Sequence, residues 1–131
     1  MIAIYFLLPK TRIIQFPFNL VGAFLFLFGA YVAISTRKSF KKMNTPMPPS
    51  SKPNMLHTNG AFRYTRNPMY LGIAIGLLGL AVLMSSFLNF VFPVIFLIIT
   101  DVAYVRLEEK ILEDELGDEY LDYKNRVRRW I

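Results

Sequence analysis

Gly60-Ala61-Phe62-Arg63-Tyr64-Thr65-Arg66-Asn67-Pro68-Met69-Tyr70-Leu71-Gly72 begins as a polar, arginine-bearing segment. It passes at Pro68 into sequence with no charged residue before Asp101. A junction of this kind belongs where cytosol meets bilayer, and it carries hydrogen-bonding groups to the membrane surface. Working outward, a second polar cluster, Glu108-Glu109, closes the far end of the apolar stretch. The two clusters together suit a site at which a water-soluble cofactor meets a lipid-soluble substrate.

Residues 13–35 and 69–100 carry no charge. At 1.5 Å of helical rise per residue, about 20 apolar residues cross a bilayer, so both windows are long enough. A soluble chain of 131 residues would have to bury both windows in a very small core, which surface-to-volume scaling disfavours. The expectation is therefore an all-α integral membrane bundle of three to four transmembrane helices. A cytosolic loop and an amphipathic C-terminal helix complete it, in a single domain. The apolar start, Ile2 to Leu8, lacks a basic leader and ends at Pro9-Lys10, so it does not resemble a cleaved signal.

The chain has no cysteine and one histidine, His57. Disulfides, thiolate metal sites and cysteine nucleophiles are excluded, as are most zinc and di-iron schemes, and no metal site is expected. All nine acids lie from Asp101 onward, while the net charge is +6. A basic excess beside apolar spans indicates orientation and contact with membrane lipids, and nucleic acid is not an expected partner.

Residues 1–9 read as a partial first helix and 18–36 as a complete transmembrane helix, with Gly22, Gly29, Ala30 and Ala33 as points of close approach. Residues 37–67 form a cytosolic loop rich in Lys and Arg. Its stretch Pro46-Met47-Pro48-Pro49-Ser50-Ser51-Lys52-Pro53 forbids helix. That loop is either a solvated linker or a cover folded over a site. Residues 68–106 are read as a transmembrane hairpin, with Pro68 in the first helical turn and a tight turn near Ser85-Ser86 and Asn89. Its helices should run from Pro68 to Phe87 and from Asn89 to Arg106. Gly72, Gly76 and Gly79 give the first of them a small-residue packing face.

Across residues 107–131, Leu107, Ile111, Leu112, Leu116, Tyr120, Tyr123 and Val127 recur at helical spacing. The tail from Lys124 to Ile131 mixes cations with Trp130 and is expected on the membrane surface. The loop and the C-terminal region hold thirteen of the fifteen Lys and Arg, so the positive-inside rule directs both polar clusters to the cytosol.

Asp101, Tyr104 and Glu108 fall at i, i+3 and i+7 and would share one helix face. An acid at Asp101 either serves function or reaches water or a nearby arginine. Glu108 and Glu109 are adjacent and face different directions, so they do not form a proton-sharing pair. Either carboxylate suits a ribose or an ammonium group. Arg63 and Arg66 suit lipid phosphates or a carboxylate equally well.

Two long motifs go further. Leu56-x-Thr58-x-Gly60-x-Phe62-Arg63-x-Thr65-Arg66-Asn67-Pro68-Met69-Tyr70-Leu71-Gly72 resembles the first signature of the isoprenylcysteine carboxyl methyltransferase and phospholipid methyltransferase superfamily. Glu108-Glu109-x-x-Leu112-x-x-x-x-Gly117-x-x-Tyr120-x-x-Tyr123-x-x-x-Val127 resembles its second. The resemblance implies methyl transfer from S-adenosylmethionine to a lipophilic, membrane-embedded acceptor, without a soluble nucleotide-binding domain. It implies cofactor contacts from Asn54, Met55, Leu56, His57, Phe62, Arg66, Asn67, Pro68, Met69, Tyr70, Glu108 and Glu109. It implies substrate contacts near Tyr104, Arg106 and Asp101, and it identifies no catalytic residue.

This chain departs from that pattern in three places. Asn67 stands where enzymes acting on prenylated cysteine usually carry His, a form closer to the phospholipid branch and to bacterial members. Tyr104 stands where the carboxyl methyltransferases carry a substrate-binding arginine, with Arg106 two residues on. The first apolar piece is short, so a partner or a second copy would be needed to cover it. Two other classes compete with the methyltransferase. One is a membrane reductase using NADPH, which shares a similar junction but commonly has an acid after the glycine, where Ile73 stands here. The other is a non-enzymatic membrane scaffold. The composition is compatible with a prokaryotic plasma membrane.

Overall fold

The computed structural model describes residues 1–3, 14–42 and 55–131. The short first helix, Lys10, Arg12, the proline-rich stretch and Asn54 lie outside the described residues. Every regular element among those described is helical, with no strand. We label them α1 (Leu20–Lys42), α2 (Pro68–Met84), α3 (Val91–Thr100), α4 (Arg106–Leu116) and α5 (Asp118–Arg126).

Two stretches are long and apolar enough to cross a membrane, Leu20–Lys42 and Phe87–Leu116, while α2 is a shorter apolar helix. Only 17% and 22% of the two spanning windows is buried inside the protein, the reverse of a soluble core helix. Phe24, Leu27, Phe28, Tyr31 and Ile34 of α1 stand exposed, as do Val94, Ile95, Ile98 and Ile99 of α3. An aqueous surface does not tolerate an apolar face of that extent. The chain is a membrane protein with its large apolar side chains turned outward.

What lies inside is small. α1 and α2 pack along each other through glycines. A Cβ added at Gly29 would stand well under 3.0 Å from the carbonyl oxygen of Gly72 and the amide nitrogen of Gly76. One added at Gly22 would lie 2.6 Å from the amide nitrogen of Leu83. Association of helices in lipid depends on such close approach, because the hydrophobic effect does not drive it there.

Helix boundaries differ from the expected ones. α1 runs six residues beyond the apolar stretch and ends on Lys41 and Lys42, whose cations suit the negative end of the helix dipole. α2 stops at Met84 rather than Phe87, because Ser85 adopts a left-handed conformation (φ 53°). The hydroxyl of Ser85 donates to the Val82 carbonyl at 3.1 Å, satisfying an end-of-helix acceptor. After a 3-10 turn at Phe87–Phe90, the chain re-enters helix at α3. Pro93 sits in the first turn of α3, where its missing N–H is not needed.

The second spanning helix does not end at Arg106. It continues through a wide π turn, Asp101–Val105, directly into α4. Thr100 donates its hydroxyl back to the Phe96 carbonyl at 2.6 Å just before the turn, a bond that bends helices. The π turn also changes the facing of its residues. Glu108 is buried and Tyr104 is 45% exposed, so the side chains expected to share one face differ in their access to the surroundings.

The C-terminal region is two helices rather than one. Gly117 (φ 54°, ψ −125°) separates α4 from α5 in a conformation that L side chains rarely adopt. The ion pair between Lys124 and Glu113 then holds α5 back against α4. We predict that Gly117→Ala lowers stability by about 1–3 kcal/mol through backbone strain alone. Its added methyl would meet nothing within 4 Å. A thermal melt of the detergent-solubilised variant that matches wild type would contradict this.

Candidate site at the mouth of the helices

The junction motif is held by hydrogen bonds that its sequence does not announce. Asn67 precedes α2 without capping it through its side chain. The Asn67 N–H instead donates to the Thr65 hydroxyl oxygen at 3.2 Å. Thr65 in turn donates its hydroxyl to the Arg129 carbonyl at 3.0 Å. The Asn67 side-chain amide donates to that same carbonyl, also at 3.0 Å. The Arg66 N–H donates to the Arg128 carbonyl at 3.0 Å. The tail is thus laid across the junction, with Arg129 and Trp130 turned inward rather than left free on a surface.

The two adjacent acids of α4 diverge as expected. Glu108 is buried and accepts the Tyr70 hydroxyl at 2.6 Å, joining the two sequence motifs across 38 positions. Among the described residues no cation pairs with it. Glu109 is buried and doubly paired, with Arg66 Nη1 3.3 Å from one oxygen. Arg129 grips both oxygens of Glu109, at 3.1 and 2.8 Å. A fork of this kind is the strong, geometrically specific form of ion pair.

Asp101 is served by three donors: Arg106 at 3.2 Å, Arg129 at 3.3 Å and the Trp130 indole at 3.3 Å. Of the two readings open for Asp101, a partner arginine is what the structure provides. Tyr104 and Arg106 stand exposed on the same stretch. Arg63 is exposed too, and pairs with no acid among the described residues.

The loop ahead of the junction contributes an aromatic group. The His57 ring stacks on Phe62 with centroids 5.9 Å apart and meets the edge of Phe40 from α1 at 4.6 Å. Burial lowers the His57 pKa below its ordinary 6.5, so the imidazole is neutral at pH 7. Its Nε2 is buried without a partner, as is Nε of Arg66. Tyr123 donates its hydroxyl to the Phe62 carbonyl at 2.8 Å, and Arg66 Nη1 lies 3.5 Å from the Tyr120 hydroxyl. Burial pushes both phenols up to about 12, so they remain protonated.

Of the residues expected at a cofactor, His57 and Phe62 therefore share one cluster, and Tyr70 and Glu108 form a pair. Arg66, Asn67 and Glu109 belong to the network that holds the tail. Met55 is exposed, Pro68 is buried at the start of α2, and Leu56 and Met69 are half-buried. Thr65, Tyr120 and Tyr123, quoted in the motifs but not named as site residues, carry the site's architecture together with Arg129 and Trp130. A signal for Arg129 was present: acids bordering an apolar span require cationic partners, and the tail supplies arginines.

Comparison with known proteins gives the family. An uncharacterised protein of Haemophilus influenzae is 35% identical over 63 residues, which is 48% of this chain and the whole of that relative. A family model described as phospholipid methyltransferase matches residues 5–119, taking in the junction, the apolar helices and the paired acids. The chain belongs to the phospholipid methyltransferase family, a family of membrane methyltransferases.

Proposed function

We propose that the chain transfers a methyl group from S-adenosylmethionine to a lipophilic acceptor at the membrane surface. The observation that carries this reading is the Tyr70–Glu108 pair. It brings the junction motif and the acidic helix together around a buried carboxylate that no cation neutralises among the described residues. A buried carboxyl without a cationic partner suits a ligand that brings positive charge or hydroxyl donors to it.

The donor set fits such a cofactor. Glu108 has an oxygen free for ribose hydroxyls or an ammonium. His57 Nε2 and Arg66 Nε are buried polar atoms without partners. The faces of Tyr70 and Phe62 suit a sulfonium cation. When bound, S-adenosylmethionine supplies an activated methyl on sulfur. In-line transfer then requires from the protein alignment and the exclusion of water rather than a proton relay. Met55, Leu56, Pro68 and Met69 would shape the pocket wall. The exposed Tyr104 and Arg106, with Asp101 behind them, would meet the acceptor as it arrives from the bilayer.

In this reading α2 also crosses the membrane, giving three spans among the described residues and a fourth if the N-terminal piece completes one. The site faces the cytosol of a prokaryotic plasma membrane. A second copy or a partner subunit would cover the short first helix.

The test is ligand-dependent thermal stabilisation of the purified chain with S-adenosylmethionine, S-adenosylhomocysteine and, as control, NADPH. A ligand binding only the folded state adds roughly 2.7 kcal/mol at 100 times its dissociation constant. Both adenosyl compounds should raise the melting temperature and NADPH should not. Stabilisation by NADPH alone, or by none of the three, would overturn the proposal.

A further inference from the structure

Arg129 uses its two ends differently. Its guanidinium is anchored to the long helix, forked on Glu109 and touching Asp101 across the π turn. Its backbone carbonyl accepts from Thr65 and Asn67, the residues leading into α2. The neighbouring carbonyl, of Arg128, accepts the Arg66 N–H. One tail residue therefore ties the start of α2 to the face of α4. Asn67 lies one helical turn before Tyr70, and Glu109 is the immediate neighbour of Glu108. The residues that Arg129 joins are thus the ones flanking the Tyr70–Glu108 contact.

A lysine could not substitute in this arrangement. Its ammonium is a point charge without the planar fork, so it would not span both Glu109 oxygens while reaching Asp101. The hydrogen bonds to Glu109 also strengthen the hold of Arg129 on its own proton, so the clamp is charged at every physiological pH.

We infer that Arg129 is a positioning residue. By strapping the C-terminal tail between junction and acidic helix, it sets the spacing at which Tyr70 and Glu108 receive a ligand. This inference rests on reading that pair as part of a methyl-transfer pocket. It goes beyond that reading in assigning the geometry of the pocket to a residue that need not touch cofactor or acceptor.

The experiment uses the full chain in detergent, with S-adenosylhomocysteine affinity measured by calorimetry and amide exchange measured on peptides covering residues 60–67. The variants are Arg129→Ala, Arg129→Lys and the double variant Arg129→Ala with Glu109→Gln. Losing hydrogen bonds to charged groups should weaken affinity about ten- to hundredfold in Arg129→Ala. Arg129→Lys should recover little of it. Exchange at the Arg66 amide should rise at least about tenfold in both single variants, since its acceptor carbonyl is no longer fixed.

The double variant separates positioning from mere stability. Glu109 keeps Arg66 when Arg129 is lost, so adding Glu109→Gln removes that second pair and should lower the melting temperature further, while affinity, already lost with the strap, should change by less than about twofold more. A further affinity loss in step with the further fall in melting temperature would overturn the inference, as would an Arg129→Ala affinity within about twofold of wild type. A wild-type chain that fails to bind S-adenosylhomocysteine defeats the functional reading instead. That outcome is separate from a wild type that binds and an Arg129→Ala that binds equally well.

Discussion

Gly29→Ala is expected to unfold the bundle's central seam, costing at least about 3 kcal/mol, the top of the usual range for overpacking. The added methyl would meet the Gly72 carbonyl oxygen and the Gly76 amide nitrogen well under 3.0 Å away. These are backbone atoms of a helix and cannot rotate aside, so the helices must separate and lose contact along their length. Gly79→Ala should behave likewise, because its methyl would press on the backbone of Phe26 and on the Gly22 carbonyl oxygen. Gly76→Ala is the control. Its methyl finds only Phe26, at 3.9 Å, which is ordinary contact. Alanine also favours helix over glycine by about 1 kcal/mol, so this variant should be neutral or slightly stabilised. Melting curves of the three variants in one detergent decide the matter. If Gly29→Ala and Gly76→Ala melted together, the seam described here would be wrong.

The second large effect separates two neighbouring acids. Glu109→Ala removes the partner of a buried Arg66 and of Arg129, and breaking a buried pair from one side costs about 3–5 kcal/mol. For a chain of this size, that is a fall of roughly 10 °C or more in melting temperature. Glu108→Gln should do the opposite. The glutamine oxygen still accepts the Tyr70 hydroxyl, and a buried carboxyl with no cationic partner is replaced by a neutral amide, so stability should hold or rise. Its loss would instead appear as an S-adenosylhomocysteine affinity weakened at least about tenfold, as expected when a hydrogen bond to a charged group is lost. Equal destabilisation by the two variants would make Glu108 a structural acid. An undiminished thermal shift with ligand in Glu108→Gln would remove it from the cofactor site.

Much of this was legible beforehand, for specific reasons. Charge-free windows longer than a bilayer is thick can be recognised without coordinates, because backbone hydrogen bonding in lipid permits few alternatives to helix. The glycines of α1 and α2 were readable as packing faces, since small residues at helical spacing have that use in membranes. The resemblance of the two motifs to the family signatures led to Tyr70 and Glu108, and the adjacency of Glu108 and Glu109 already required divergent directions on a helix. The break at Gly117 was also available, as a glycine that stops helices, but the apolar periodicity continues across it and masks the change of axis.

What the sequence determined by itself, then, was local or periodic: helices, their small-residue faces, the apolar exterior and the presence of two polar clusters. Tertiary structure alone decided which charges neutralise one another. Asp101, Glu109, Arg66, Arg106 and Arg129 are separated by up to 63 positions, and no pattern along the chain specifies their pairing. The physical reason lies in the range of the forces. Helix periodicity is set within a few residues by backbone geometry. A buried ion pair exists only after packing has brought its members within a few ångströms and removed the water between them. The inward turn of Arg129 is a consequence of the second kind, and it leaves Glu108 bonded to Tyr70 and to no cation among the described residues.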